Sequence, residues 1–114
     1  MSTRIDAAPA GATDLRSEQL TRLRGLLNEE RALQQARAVE LQDPDGLEPD
    51  LAAVLLTRCQ ETLEEIDAAL ARIRLGSYGT CLTCADAIPY ERLEIVPAAD
   101  RCVACQAVRD RVFR

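Results

Sequence analysis

Four cysteines near the C-terminal end are spaced as two Cys-x-x-Cys pairs, Cys81 with Cys84 and Cys102 with Cys105. Seventeen residues separate the two pairs, and the chain contains no histidine. Two such pairs, joined by about 15–20 residues, are typical of tetrahedral zinc sites, because each pair bends around the ion and the loop brings the pairs together. We therefore predict one zinc ion per chain. Four thiolates leave no coordination position for water, so the predicted site is structural.

The two Cys-x-x-Cys pairs have three other possible roles: a redox-active dithiol, a rubredoxin-like iron site, or thiols that bind nothing. Zinc is favoured because both pairs and the distance between them fit it at once. The fifth cysteine, Cys59, lies apart at an apolar position of a predicted helix. A reduced cysteine there behaves as a small hydrophobic residue, and we expect its thiol to be inert.

The composition argues against a deep globular core. Among 114 residues there are one Phe, two Tyr and no Trp, while the Ala, Leu and Val residues recur at helical spacing. Residues 1–13 show no periodicity and are expected to be disordered. No apolar run reaches the roughly 20 residues of a membrane span, and the N-terminus lacks the apolar centre of a signal peptide. We expect a cytoplasmic protein without membrane contact, whose reduced cysteines are available to a metal.

Residues 14–75 are predicted to form a long antiparallel helical hairpin. The first helix runs from about residue 14 to 41, and the sequence QDPDGLEPD then favours a turn. The second helix, about 49–75, has apolar residues at the alternating spacing of a coiled coil: Leu56, Cys59, Leu63, Ile66, Leu70 and Ile73. On the first helix the corresponding residues are Leu20, Leu23, Leu27, Leu33 and Ala36. With a turn near Gly46, Leu33 is expected to face Cys59.

The negative charge is concentrated at the turn of this hairpin. The net charge is -5. Five acidic residues and no basic residue lie between Ala38 and Thr57: Glu40, Asp43, Asp45, Glu48 and Asp50. Residues 76–114 would add the zinc finger and a short C-terminal helix. The predicted fold is therefore all-α, an antiparallel coiled-coil rod with an acidic tip, joined to a four-cysteine finger.

Residues 69–106 resemble the signature of the DksA/TraR zinc-finger family, in which Gly-x-Tyr-Gly precedes the first Cys pair and Ile-Pro, Arg-Leu and Pro precede the second. The matching residues are Gly76, Tyr78, Gly79, Ile88, Pro89, Arg92, Leu93 and Pro97. The acidic-tipped hairpin is similar to the family's coiled coil. This resemblance implies a bacterial transcription regulator that binds RNA polymerase, not DNA, and inserts its coiled-coil tip into the secondary channel.

The resemblance also implies a regulatory role for the tip, which would face the polymerase active site. Better-known members read Asp-x-x-Asp-x-Ala there, and Asp50 and Ala52 match the second Asp and the Ala, whereas Leu47 replaces the first Asp. We therefore predict a tip site formed by Asp43, Asp45, Glu48, Asp50 and Ala52. Cooperation with guanosine tetraphosphate, bound jointly with polymerase, and the direction of regulation stay open.

Two other classes of binding protein compete with this interpretation. A DNA-binding zinc finger needs a basic surface to release counterions from phosphates, and this chain is acidic. A zinc- or redox-linked adaptor, whose hairpin pairs with another copy or another protein, is not excluded by any residue. An enzyme is not expected, because the chain has no histidine, a filled metal site and no nucleophile beside a base.

Overall fold

The computed structural model describes residues 15–112, so the predicted disordered tail, residues 1–13, lies outside the described range. Four α-helices fill most of this range: α1 Ser17–Gln42, α2 Pro49–Leu75, α3 Tyr90–Ile95 and α4 Val103–Val112. Within it, β-pairing is limited to an isolated antiparallel bridge between Thr80 and Ala87. The predicted all-α fold, a long hairpin followed by a finger and a short helix, is confirmed.

The turn of the hairpin is formed by residues 43–48, as its Pro, Gly and Asp residues predict. At its end, Pro49 occupies the first position of α2, where its missing N–H group costs no hydrogen bond. The Glu48 carboxylate accepts a hydrogen bond from the Leu51 backbone N–H at 3.1 Å. These two residues fix the start of α2.

Gly76 ends α2 and directs the chain into the finger. Its backbone is left-handed, with φ 83°, a conformation that glycine adopts without steric strain. The Ser77 and Tyr78 N–H groups both donate to the Arg72 carbonyl, at 3.0 and 3.2 Å. These bonds satisfy a carbonyl that the helix end would otherwise leave unpaired.

The hairpin is a rod whose two helices pack along one apolar seam near the base. Leu23 and Leu27 of α1 are buried, together with Ile66, Ala69 and Ile73 of α2. The structure measures 62 × 31 × 20 Å. At a rise of about 1.5 Å per residue, α2 separates the turn from the finger by roughly 40 Å. No helix in the described range is long and apolar enough to cross a membrane.

The predicted contact between Leu33 and Cys59 is wrong. Leu33 is 55% exposed on the outside of α1. The coiled-coil spacing from Leu27 leads instead to Glu30 and Gln34, and the Gln34 side-chain amide donates to the Glu30 carboxylate at 2.8 Å. Gln34 lines the same inter-helix groove as Cys59. The helical period therefore outweighs the hydrophobicity of Leu33, and polar residues at Glu30 and Gln34 interrupt the apolar seam of α1.

The finger and the base of the hairpin share one hydrophobic core. Its finger residues are Tyr78, Cys81, Ile88, Leu93 and Ala99, and its hairpin residues are Leu23, Leu27, Ile66, Ala69 and Ile73. On the surface of this junction, the Arg22 guanidinium lies 3.1 Å from the Glu94 carboxylate. Exposed ion pairs of this kind contribute at most about 1 kcal/mol, so the apolar core is the main connection.

Candidate metal centre and hairpin tip

The structure brings the sulfur atoms of all four paired cysteines together. The Sγ atoms of Cys81, Cys84, Cys102 and Cys105 lie within 4.8 Å of one another. Those of Cys84 and Cys102 are 3.9 Å apart. A tetrahedron with Zn–S bonds of about 2.3 Å has sulfur atoms about 3.8 Å apart, so the cluster has the size of a zinc site.

The electrostatics of the cluster favour a bound cation. Burial raises the pKa of the Cys81 thiol, but the N–H groups of Cys84, Cys102 and Thr83 point at its sulfur and lower that pKa to about 6. Hydrogen bonding with Cys102, together with burial, raises the pKa of Cys105 to about 12. One thiolate is thus stabilised by the backbone, while the neighbouring thiols resist ionisation beside it. A bound divalent ion offsets the repulsion between neighbouring thiolates and so stabilises the ionised form of all four cysteines together.

The first cysteine pair is carried by a tight knuckle in which Ala85 has a left-handed backbone, with φ 68°. The knuckle is closed by two backbone hydrogen bonds, from Cys81 N–H to the Asp86 carbonyl at 2.9 Å and from Ala85 N–H to the Cys81 carbonyl at 3.0 Å. An alanine in this conformation is strained by its Cβ atom, at a cost of about 1–2 kcal/mol. The Ala85 side chain is exposed, so its packing does not offset this backbone strain.

We expect Ala85→Gly to stabilise the finger by about 0.5–1 kcal/mol, because glycine removes the left-handed strain but adds entropy to the unfolded chain. Zinc competition with a chromogenic chelator, followed by the absorbance of the chelator–zinc complex, measures the change. Ala87→Gly is the matched control, because Ala87 is also exposed but has no positive φ, and that substitution should weaken the finger slightly. Equal effects of the two substitutions would contradict this account of Ala85.

A buried tyrosine ties the two halves of the finger together. The Tyr78 hydroxyl donates to the Pro97 carbonyl at 2.8 Å. The side chain is 3% exposed. Burial, partly offset by the Arg72 guanidinium, raises the pKa of Tyr78 to about 12. Tyr78 therefore fixes the loop that leads into the second cysteine pair, a long-range role that spacing alone could not reveal.

Tyr78→Phe is expected to destabilise the finger by about 1–3 kcal/mol, because the Pro97 carbonyl loses its donor inside the core. The free energy of unfolding should decrease at alkaline pH. Since folding raises the Tyr78 pKa above its ordinary value near 10, the stabilisation is complete below pH 10 and is lost as the pH rises towards 12. Chemical denaturation at several alkaline pH values should show this loss in the parent chain and a smaller loss in Tyr78→Phe.

The predicted tip residues fall into two groups. Four carboxylates are exposed at the turn: Asp43, Asp45, Glu48 and Asp50. Ala52, in contrast, is 4% exposed and lies inside the hairpin. It lines a groove with Leu41 and Leu56, so its small side chain serves the packing of α2 on α1. The regulatory role of the carboxylates stays a prediction.

Comparison with known proteins shows that the finger is similar to a known family. Residues 76–111 match the family model of the prokaryotic DksA/TraR C4-type zinc finger. General stress protein 16O of Bacillus subtilis (strain 168) is 48% identical over 48 residues, which are 42% of this chain and 29% of that protein. An uncharacterized protein of Aquifex aeolicus (strain VF5) is 46% identical over 44 residues, 39% of this chain and 30% of that protein.

The fold comparison extends the likeness beyond the finger. The structure of transcription factor DksA2 from Pseudomonas aeruginosa superposes with a TM-score of 0.69 and 29% sequence identity, covering 95% of this chain and 92% of that one. The C-terminal segment thus matches the zinc finger of the DksA/TraR C4 type, and its four sulfurs fit one zinc ion. Hairpin and finger together have the fold of DksA2. The chain aligns with less than a third of the length of the two curated relatives.

Proposed function

We propose that this chain is a transcription factor of the DksA type that binds RNA polymerase and places its hairpin tip in the secondary channel. The observation that carries the proposal is the combination of a structural match to DksA2 that covers 95% of this chain with four exposed carboxylates at the far end of the rod. The finger and the hairpin base would supply the binding surface. The tip would supply the regulation.

The geometry supports such a division because the tip is roughly 40 Å from the finger along α2. A rod of this length can be held outside a channel while its end reaches a site inside. Carboxylates at the end could interact with mobile basic elements or with the surroundings of catalytic Mg²⁺, a hard cation that prefers oxygen ligands. Either contact would change the lifetime of promoter complexes or the rate of nucleotide addition.

The same features oppose the competing functions. A net charge of -5 disfavours direct DNA binding. A zinc ion held by four thiolates has no open position for catalysis, so we propose a non-enzymatic, cytoplasmic regulator. Joint action with guanosine tetraphosphate stays a prediction.

Binding to purified polymerase of the host tests the proposal. One variant carries neutral amides in place of the four tip carboxylates, Asp43, Asp45, Glu48 and Asp50, and a control carries Glu61→Gln with Glu64→Gln on the exposed face of α2. We expect all three proteins to bind, and only the tip variant to lose its effect on transcription. Failure of the parent chain to bind polymerase would contradict the proposal and favour the adaptor function.

A further inference from the structure

A groove lies where the hairpin meets the loop that follows α3. Its volume is about 550 Å³, and its floor includes Leu26, Leu27 and Ile66. Three large apolar residues on its walls remain open to solvent: Leu33 is 55% exposed, Ile95 81% and Val96 43%. Contiguous exposed apolar side chains of this kind mark interaction surfaces more often than scattered ones do.

The rim of this groove carries charge of one sign. Four glutamates line it, Glu29, Glu30, Glu65 and Glu94, and no arginine or lysine does. Glu94 pairs with Arg22, and Glu30 accepts from Gln34. Within residues 15–112, the carboxylates of Glu29 and Glu65 have neither a hydrogen bond nor an ion pair. An apolar floor with an acidic rim is complementary to a segment that carries basic residues beside large apolar ones.

We propose that this groove, the Leu33–Ile95 groove, is the surface by which the base of the rod binds RNA polymerase, and that its occupant is a polymerase segment bearing arginine or lysine next to large apolar side chains. The inference rests on the proposed function and identifies its docking site. The groove lies beside the loop after α3 and extends along the middle of the hairpin, whereas the carboxylates of the tip lie beyond it at the turn. A partner held here therefore leaves the tip free.

The position of Leu33 supports this assignment. The residue is 55% exposed, so more than half of its apolar side chain is open to the groove and is not used in the packing of α1 on α2. Ile95, the last residue of α3, is brought beside the same groove by the fold of the finger. Zinc-dependent folding would thus complete one wall of the docking site, while α1 and α2 provide the other.

The test compares two substitutions at equally exposed positions. Ile95 and Leu75 are each 81% exposed and each ends a helix, but only Ile95 lines the groove. We expect Ile95→Asp to weaken binding to purified host polymerase at least about tenfold, because it sets a carboxylate against the occupant's apolar side chains. Leu75→Asp should change the affinity less than about twofold. Circular dichroism and zinc content verify that both variants fold.

A second pair of variants tests the charge. Glu65→Lys on the rim should weaken binding, whereas Glu61→Lys, one helical turn away and outside the groove, should not. Affinity should also fall with added salt for the parent chain and less steeply for Glu65→Lys. Equal affinities of the Ile95→Asp and Leu75→Asp proteins would overturn the groove while leaving polymerase binding intact. No binding by the parent chain would overturn both proposals.

A second copy of this chain is the other candidate occupant, because α4 carries Arg109 and Arg111 beside Val108 and Val112. Sedimentation of the parent chain alone distinguishes the two. A monomer at the concentrations that saturate polymerase supports the proposal. A dimer that Ile95→Asp dissociates would overturn it and assign the groove to self-association.

Discussion

Cys84→Ser is expected to remove the zinc ion and to unfold the chain from about Gly76 onward. Cys84 is exposed, so the substitution sacrifices no core packing and acts through the lost ligand. Structural zinc contributes about 10–16 kcal/mol in zinc-finger peptides near neutral pH, more than a segment this small can replace by burial. Metal analysis should give one zinc per parent chain and none in the variant, and amide hydrogen exchange should show lost protection in the finger.

Cys59→Ala provides the control. Cys59 is 4% exposed and packs in the hairpin, away from the sulfur cluster. Its substitution should cost only packing energy, on the order of 1 kcal/mol, and leave the zinc stoichiometry unchanged. Stoichiometric zinc in Cys84→Ser, or iron in parent protein purified without oxygen, would contradict the assignment of the metal centre.

Loss of zinc should leave the distal hairpin partly helical. Its contacts between α1 and α2 do not involve the four clustered thiols, whereas the base packs against Tyr78 and Cys81 in the shared core. We therefore expect the base to loosen and the far-ultraviolet circular dichroism to fall only in part. A complete collapse on chelation would show that hairpin and finger do not form separable modules.

Asp50→Asn is expected to change the effect on transcription while leaving polymerase affinity within about threefold, which is under 1 kcal/mol. Asp50 is exposed in the first turn of α2, where its negative charge interacts favourably with the positive end of the helix dipole. The helix should lose about 0.3–1 kcal/mol, too little to unfold the hairpin. Run-off transcription and a binding titration with the same polymerase measure the two quantities separately.

Glu61→Gln is the matched control for Asp50→Asn, since Glu61 is exposed on the same helix but far from the turn. It should alter neither quantity. An unchanged transcription effect in Asp50→Asn would remove the tip carboxylate from the mechanism. Abolished binding would show instead that the tip contributes to adhesion, and the proposed division between tip and base would be wrong.

The parts of the fold that depend on local sequence were predictable. The Pro and Gly residues around Gly46 mark the turn, and the apolar spacing of α2 marks its seam through Ile66 and Ile73. The cysteine spacing predicted the cluster, because two short knuckles and one loop leave few other arrangements. The likeness of the finger to a family then followed from a contiguous motif.

The parts that depend on tertiary packing were not predictable in the same way. Hydrophobicity alone favours Leu33 as a seam residue, whereas the 3-4 spacing continued from Leu27 selects Gln34. The resemblance to the family's tip motif predicts Ala52 at the tip, and only the packing of α2 on α1 shows that it is buried. The bond from Tyr78 to Pro97 crosses nineteen residues and has no signal in spacing.

Site-specific photo-crosslinking from the tip tests the central claim most directly. A photoreactive amino acid replaces Asp45, which is exposed at the turn, and a second variant carries it at Ala107 on the exposed face of α4. With purified host polymerase, position 45 should crosslink to residues that line the catalytic centre, and position 107 should not. Crosslinks from position 45 that map only to the outer surface of polymerase, or none at all while the complex forms, would contradict the account.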